Sequence, residues 1–177
     1  MQRSFLLLSA LVMLNACLEV DDTSPPLPSG ALVYAPVYAL AEVVYDISIS
    51  EAKPIENPSK IFTYRNFLMI NIKDEGIHVI DNSLPSSPQQ LFFINIPGNN
   101  DVSVKDGVLY ADNYNDIVAF QIDSNHEVEI LERLAGVMNN RSYPPHAGVY
   151  FKCVDPSKGV VVDWVKVDDQ IANCYRP

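Results

Sequence analysis

The chain has 177 residues, 22 acidic against 12 basic side chains, and a formal net charge of −10. That balance repels nucleic acid and anionic membrane surfaces and favours solubility, so nucleic-acid binding is set aside. The length suits one domain once the N-terminal segment is discounted.

In chain order, Arg3 and the apolar run "FLLLSALVML" at residues 5–14 come first. A membrane-spanning helix needs about 20 apolar residues, so this run is too short to span. A charged start, a short apolar core and a small residue before a cleavage point are the marks of a secretory signal. Leu14, Asn15, Ala16 and Cys17 resemble the lipobox of bacterial lipoproteins, in which the cysteine receives a diacylglycerol and becomes the new N-terminus. Leu14 and Ala16 match; Asn15 departs from the usual small or hydroxyl residue. The resemblance implies a signal peptide over 1–16, lipidation at Cys17 and an anchor on the membrane without a spanning helix. Leu18 stands where an inner-membrane retention signal would carry aspartate, which favours the outer membrane. Glu19, Asp21 and Asp22 are similar to acidic export signals for surface display. "TSPPLPSG" at 23–30 reads as an extended stretch, because proline lacks a backbone donor, and residues 17–33 form a lipidated tether.

After a lead-in segment, 34–58, short apolar/polar alternations broken by turn formers predict strands. They fall at 60–64, 67–72, 77–81 and 90–96, then at 101–105, 108–112, 117–122 and 127–134. The last stretch also carries helix formers, and its place in the series favours strand. "NFLMINIKDEGIHVIDNS" and "GVLYADNYNDIVAFQIDS" align Phe67 with Val108, Leu68 with Leu109, Ile80 with Ile122 and Asp81 with Asp123. The offset of about 41 residues is near a propeller-blade repeat. The expected fold class is therefore all-β, with two consecutive four-stranded antiparallel blade-like units over 59–142. On β-strand periodicity, Leu68, Ile70 and Ile72 should share the more buried face, as should Leu109 and Ala111.

The C-terminal segment, 143–177, carries Cys153 and Cys174. With Cys17 acylated they are an even pair in an oxidising compartment, and a disulfide is the natural inference. Two buried free thiols or a metal site are the alternatives; no CxxC and no His/Cys cluster supports metal.

"NPSKIFTYRNFLMIN", "GIHVIDNS", "LFFINIPGNNDVSVKDGVLYADNYNDIVAFQI" and the terminal "CYR" resemble the N-terminal half of the LVIVD-repeat family, bacterial lipoproteins of propeller type. The resemblance implies architecture and envelope location rather than an activity. Longer relatives continue into further repeats, so the expectation is either a small open or sandwich-like module or a truncated member that needs a partner.

Motifs for catalysis are lacking: there is no GxSxG, HExxH, phosphate-cradling glycine loop or CxxC. His78 lies on a predicted strand and reads as structural, while His126 and His146 read as loop residues. "DNYND" at 112–116 gathers oxygen donors that suit calcium, with Asp112 and Asp116 as the candidates. Tyr114 and Ile117 stand where an EF-hand-like loop needs an oxygen ligand and glycine, so ordinary turn chemistry is the stronger reading. The aromatic residues read mainly as core, with Trp164 and Tyr175 packed near the cysteines and a carbohydrate- or protein-binding patch as the minor alternative. No cofactor is called for. The leading expectation is a lipid-anchored, non-catalytic binding or assembly module with a protein partner on an exposed sheet face. The alternatives are an envelope hydrolase using carboxylates among Asp101, Asp112 and Asp116, or a truncated chain without independent function.

Overall fold

The computed structural model describes residues 25–123, 125, 127–138, 141–168 and 171–177. The signal segment 1–16, Cys17 and His126 lie outside the described residues. The chain is mostly β, built as three sheets, none of which closes on itself.

The first sheet holds β2 (Ser48–Glu51), β3 (Pro58–Tyr64), β4 (Phe67–Ile72), β5 (Gly76–Asp81) and β6 (Gln89–Asn95), in the order β2-β6-β5-β4-β3. The second is an antiparallel meander of β7 (Val102–Lys105), β8 (Val108–Asn113), β9 (Asp116–Ile122) and β10 (Val128–Leu134). Both meanders appear where the alternation predicts them, and residues 128–134 form strand rather than helix. The first sheet gains a fifth strand, β2, from the segment read as lead-in. Asp106 and Gly107 join β7 to β8 with φ of 53° and 87°. Two successive positive φ values make the tight hairpin whose twist matches the strands, and Asp-Gly is the dipeptide that tolerates them.

The third sheet unites the two ends of the domain. β1 (Val33–Ala39) lies between β12 (Val160–Val167) and β11 (Val149–Phe151), and β13 (Cys174–Arg176) completes the order β12-β1-β11-β13. β1 runs antiparallel to β12 and parallel to β11. A four-residue helix, α1 (Ala41–Val44), leads from β1 toward β2. Tyr34, Phe151, Val161 and Trp164 form this sheet's own core, with Phe151 and Trp164 edge to face at 5.3 Å. The disulfide between Cys153 and Cys174 is formed, with Cα atoms 5.2 Å apart.

The main core fills the space between the first two sheets, with Met69, Ile77 and Ile94 from one facing Leu109, Val118 and Phe120 from the other. Leu109 and Ala111 are buried, as their alternation requires. On β4 the outcome differs from the expectation. Met69 enters the main core with Phe67 packed against it, while Ile70 and Ile72 form a smaller cluster with Ile80 and Phe93, against which Ile55 and the half-buried Leu68 pack. The polar member of the inner face, Asn71, made that face read as the outer one. It is fully buried and donates to the Asn100 carbonyl and to Ser59 Oγ, both at 3.0 Å, so it crosses the core edge with its amide donors paired.

Candidate functional site

The "DNYND" stretch ends β8, turns, and begins β9, and its two acids go into different networks. Asp112 is nine-tenths buried. Its Oδ1 accepts from the backbone N–H groups of Asn100 and Asp101, both at 2.8 Å, and from Asn99 Nδ2 at 2.9 Å. Its Oδ2 accepts from Asn100 Nδ2 at 3.0 Å. The carboxylate therefore clasps the 99–101 segment that leads into β7, as an acceptor-only group suits. Asp116 accepts from the Gly136 N–H at 2.9 Å and pairs with Arg133 at 3.1 Å. Arg133 Nη1 also donates to Asn113 Oδ1 at 2.6 Å, and Asn113 Nδ2 donates to the Val44 and Pro97 carbonyls at 2.9 and 2.7 Å. These bonds tie β10 to α1 and to the loop after β6.

The two calcium candidates thus have oxygens occupied by N–H donors in separate clasps, which is the geometry of turn and loop anchoring. Among the described residues no group of three or more His, Cys, Asp or Glu side chains is arranged to hold a metal ion.

Arg141 joins all three sheets. Its backbone N–H donates to Asn115 Oδ1 at 2.8 Å, its Nη1 to the Val162 carbonyl at 2.6 Å, and its Nη2 to Asp74 in the β4–β5 turn. Its carbonyl accepts from Trp164 Nε1 at 2.9 Å, and its guanidinium carbon lies over the Tyr114 ring, 5.3 Å from its centre. Tyr114 in turn lies over Gly98, whose φ is +69° and where a Cβ would stand 2.6 Å from the ring. Only glycine permits that approach.

Between the outer face of β7–β8 and the third sheet these contacts leave a cleft of about 790 Å³. Asp101, Ser103 and Tyr110 line it from the second sheet, Asp163 and Trp164 from β12, and Tyr143 from the loop before β11. Asp101 and Asp112 both reach this cleft, whereas Asp116 does not line it. Asp101 is bonded to Lys60 Nζ at 2.5 Å, and that donor holds its carboxyl below the usual carboxylate range. Asp74 is committed to Arg141, and Asp163 accepts from the Trp164 N–H at 2.8 Å. A glycosidase-type acid needs a carboxyl whose pKa is pushed up beside a second carboxylate. The hydrogen bonds at Asp101 act in the opposite direction.

His78 lies elsewhere, on β5, 1 % exposed and edge to face with Phe93 at 4.7 Å. Neither ring nitrogen has a hydrogen-bond partner among the described residues. A small hollow of about 210 Å³ beside it is lined by Lys53, Glu56 and Glu75, with Lys53 paired to Glu75 at 2.7 Å. Burial, reinforced by the Lys53 charge and opposed by Glu75, pushes His78 below its ordinary 6.5. The neutral ring is thus the folded form, whereas the unfolded chain takes up a proton near 6.5, so this residue's contribution is intact above that pH and is lost as the pH falls below it. His78→Leu is therefore expected to reduce the loss of urea stability between pH 8 and pH 5 relative to the parent. An unchanged pH slope would show that other groups carry it.

His146 sits in a loop with its ring 6.3 Å from Tyr34 and does not line the cleft. Arg141, Tyr143 and Asp163 carry no sequence signal, because each is brought to the cleft by long-range packing. Compared with protein-family models, curated proteins and solved structures, the chain matches none of them.

Proposed function

We propose that this chain is an exported, lipid-anchored envelope protein of the LVIVD-repeat, β-propeller type, displayed on the outer membrane and acting as a non-catalytic binding module. The observation behind the binding reading is the inter-sheet cleft, with aromatic rings and polar groups exposed over a frame of committed carboxylates. A concave site with a few convergent polar groups is the usual form of a ligand site. The formed disulfide supports export, because such bonds persist in oxidising compartments. Two successive meanders with the same strand order favour blades.

Mass spectrometry of the membrane-extracted protein tests the anchor. A diacylated Cys17 at the mature N-terminus is the expected species, and Cys17→Ser should release the body or leave the precursor uncleaved. A soluble form beginning elsewhere with unmodified Cys17 would refute it. Acyl chains contribute about 0.8 kcal/mol per buried methylene, so the effect on partitioning is large.

A further inference from the structure

Resting on that binding reading and deepening it, we propose that the cleft between β7–β8 and β12 takes a neutral oligosaccharide. Tyr110 is 41 % exposed at the middle of β8, and Tyr143 is 50 % exposed on the opposite element. Tyr143 is held edge to face against Phe151 at 6.2 Å, and the Arg176 guanidinium lies 5.8 Å from its ring. A half-exposed tyrosine offers a flat apolar face and a polar tip, which matches the C–H face and hydroxyl rim of a pyranose.

The polar groups beside these rings are chiefly acceptors. Asp101 uses Oδ1 for Lys60 and for the Val102 N–H, and Asp163 uses Oδ1 for the Trp164 N–H. Their Oδ2 atoms have no donor among the described residues. The amide of Asn100 is spent through Nδ2 on the Gly98 carbonyl and Asp112, which fixes the orientation of its acceptor oxygen. Sugar hydroxyls donate readily to such oxygens, and a carboxylate acceptor makes the stronger bond. Ser103, exposed and directly across from Tyr110 in the ladder, adds a hydroxyl.

Charge selects against anions. Asp74, Asp101, Asp112 and Asp163 face the cleft with Lys73 and Arg141. Arg141 is occupied by Asp74 and the Val162 carbonyl, and Lys60 is spent on Asp101, so Asp112 and Asp163 face the cleft without a cation paired to them among the described residues. A phosphate or uronate would meet net repulsion, and a purely apolar ligand would strand the acceptors. A volume of about 790 Å³ exceeds what a single sugar needs. A short chain fits.

Trp164 is the chain's one tryptophan and lines the cleft, so its emission reports on occupancy. The full-length protein in a sugar-free zwitterionic detergent would be titrated with cello-, manno-, xylo-, malto- and chitohexaose. In parallel it would be titrated with tryptophan-free tripeptides and with inorganic phosphate. A saturable change with at least one hexasaccharide and none with phosphate is expected. Tyr110→Ala should weaken that response about tenfold, or 1.4 kcal/mol, at an unchanged melting temperature, while Tyr110→Phe retains it. Silence toward every saccharide, or a response indifferent to Tyr110→Ala, overturns the assignment. A Tyr110-dependent response to peptides or to phosphate but not sugars overturns the ligand class while the binding module stands; silence toward all three overturns both.

Discussion

Asp112→Ala is expected to lower the unfolding free energy by about 3 kcal/mol, read as a shift in urea midpoint at constant slope. The carboxylate receives four donors: the backbone N–H groups of Asn100 and Asp101 and the side-chain amides of Asn99 and Asn100. Asn99 is fully buried, but its amide keeps the Asp101 and Asp112 backbone carbonyls at 2.8 and 3.1 Å, so the donors the substitution strands are the backbone N–H groups of Asn100 and Asp101 and the Asn100 amide. Each buried donor left unpaired costs about 1 to 3 kcal/mol, and part of the loss at Asn100 is recovered by water from the cleft. Asp112→Asn keeps one acceptor oxygen but turns an NH₂ toward other N–H groups, and an intermediate loss is expected. A cost below about 0.5 kcal/mol for the alanine variant would mean that the clasp is not structural. Asp112 would then be free to serve a ligand or a reaction.

How far the sequence reaches depends on the range of the interaction. The eight strands of the two meanders are legible because alternation and tight turns are local, and Asp106–Gly107 marks its hairpin outright. Which face of β4 is inner was not legible, because both faces are largely apolar and the discriminating residue, Asn71, is buried by bonds to Ser59 and Asn100. The third sheet was missed for a related reason. Pro36 sits within β1 and argues against a strand between two neighbours. β11 reaches only Val33 and Tyr34, however, so beyond that pair β1 is bonded to β12 alone and the missing donor leaves no ladder broken. The polar turn "DNYND" is legible both as a cluster of oxygen donors and as ordinary turn chemistry. Its real partners lie 11 to 13 residues upstream for Asp112 and on β10 for Asp116. The cleft depends on Arg141, Tyr143 and Asp163, whose meeting with Tyr110 is a product of sheet packing alone.

Loss of the disulfide is expected to cost a similar amount, about 3 kcal/mol, and to begin at one end of the molecule. The bridge spans a sequence separation of 21, and closing a loop of that size restricts the unfolded chain by roughly this amount. β13 is a three-residue edge strand whose ladder partner, β11, is equally short, so besides the bridge it is held by that short ladder, the Tyr150–Tyr175 ring contact and the bonds of Arg176 to the 144–148 loop. The double variant Cys153→Ser/Cys174→Ser avoids leaving a lone thiol. In it, amide exchange at 174–176 should rise well before exchange in β4, β5, β8 and β9, whose neighbours pair on both sides. The effect should reach the cleft. Arg176 donates to the Pro144 carbonyl and lies near the Tyr143 ring, so release of β13 removes the support behind one aromatic wall. Any ligand response read through Trp164 should therefore weaken on reduction, while the core between the first two sheets keeps its protection. Uniform exchange acceleration across all three sheets, or no loss of stability on reduction, would show instead that the third sheet does not open as a separate unit.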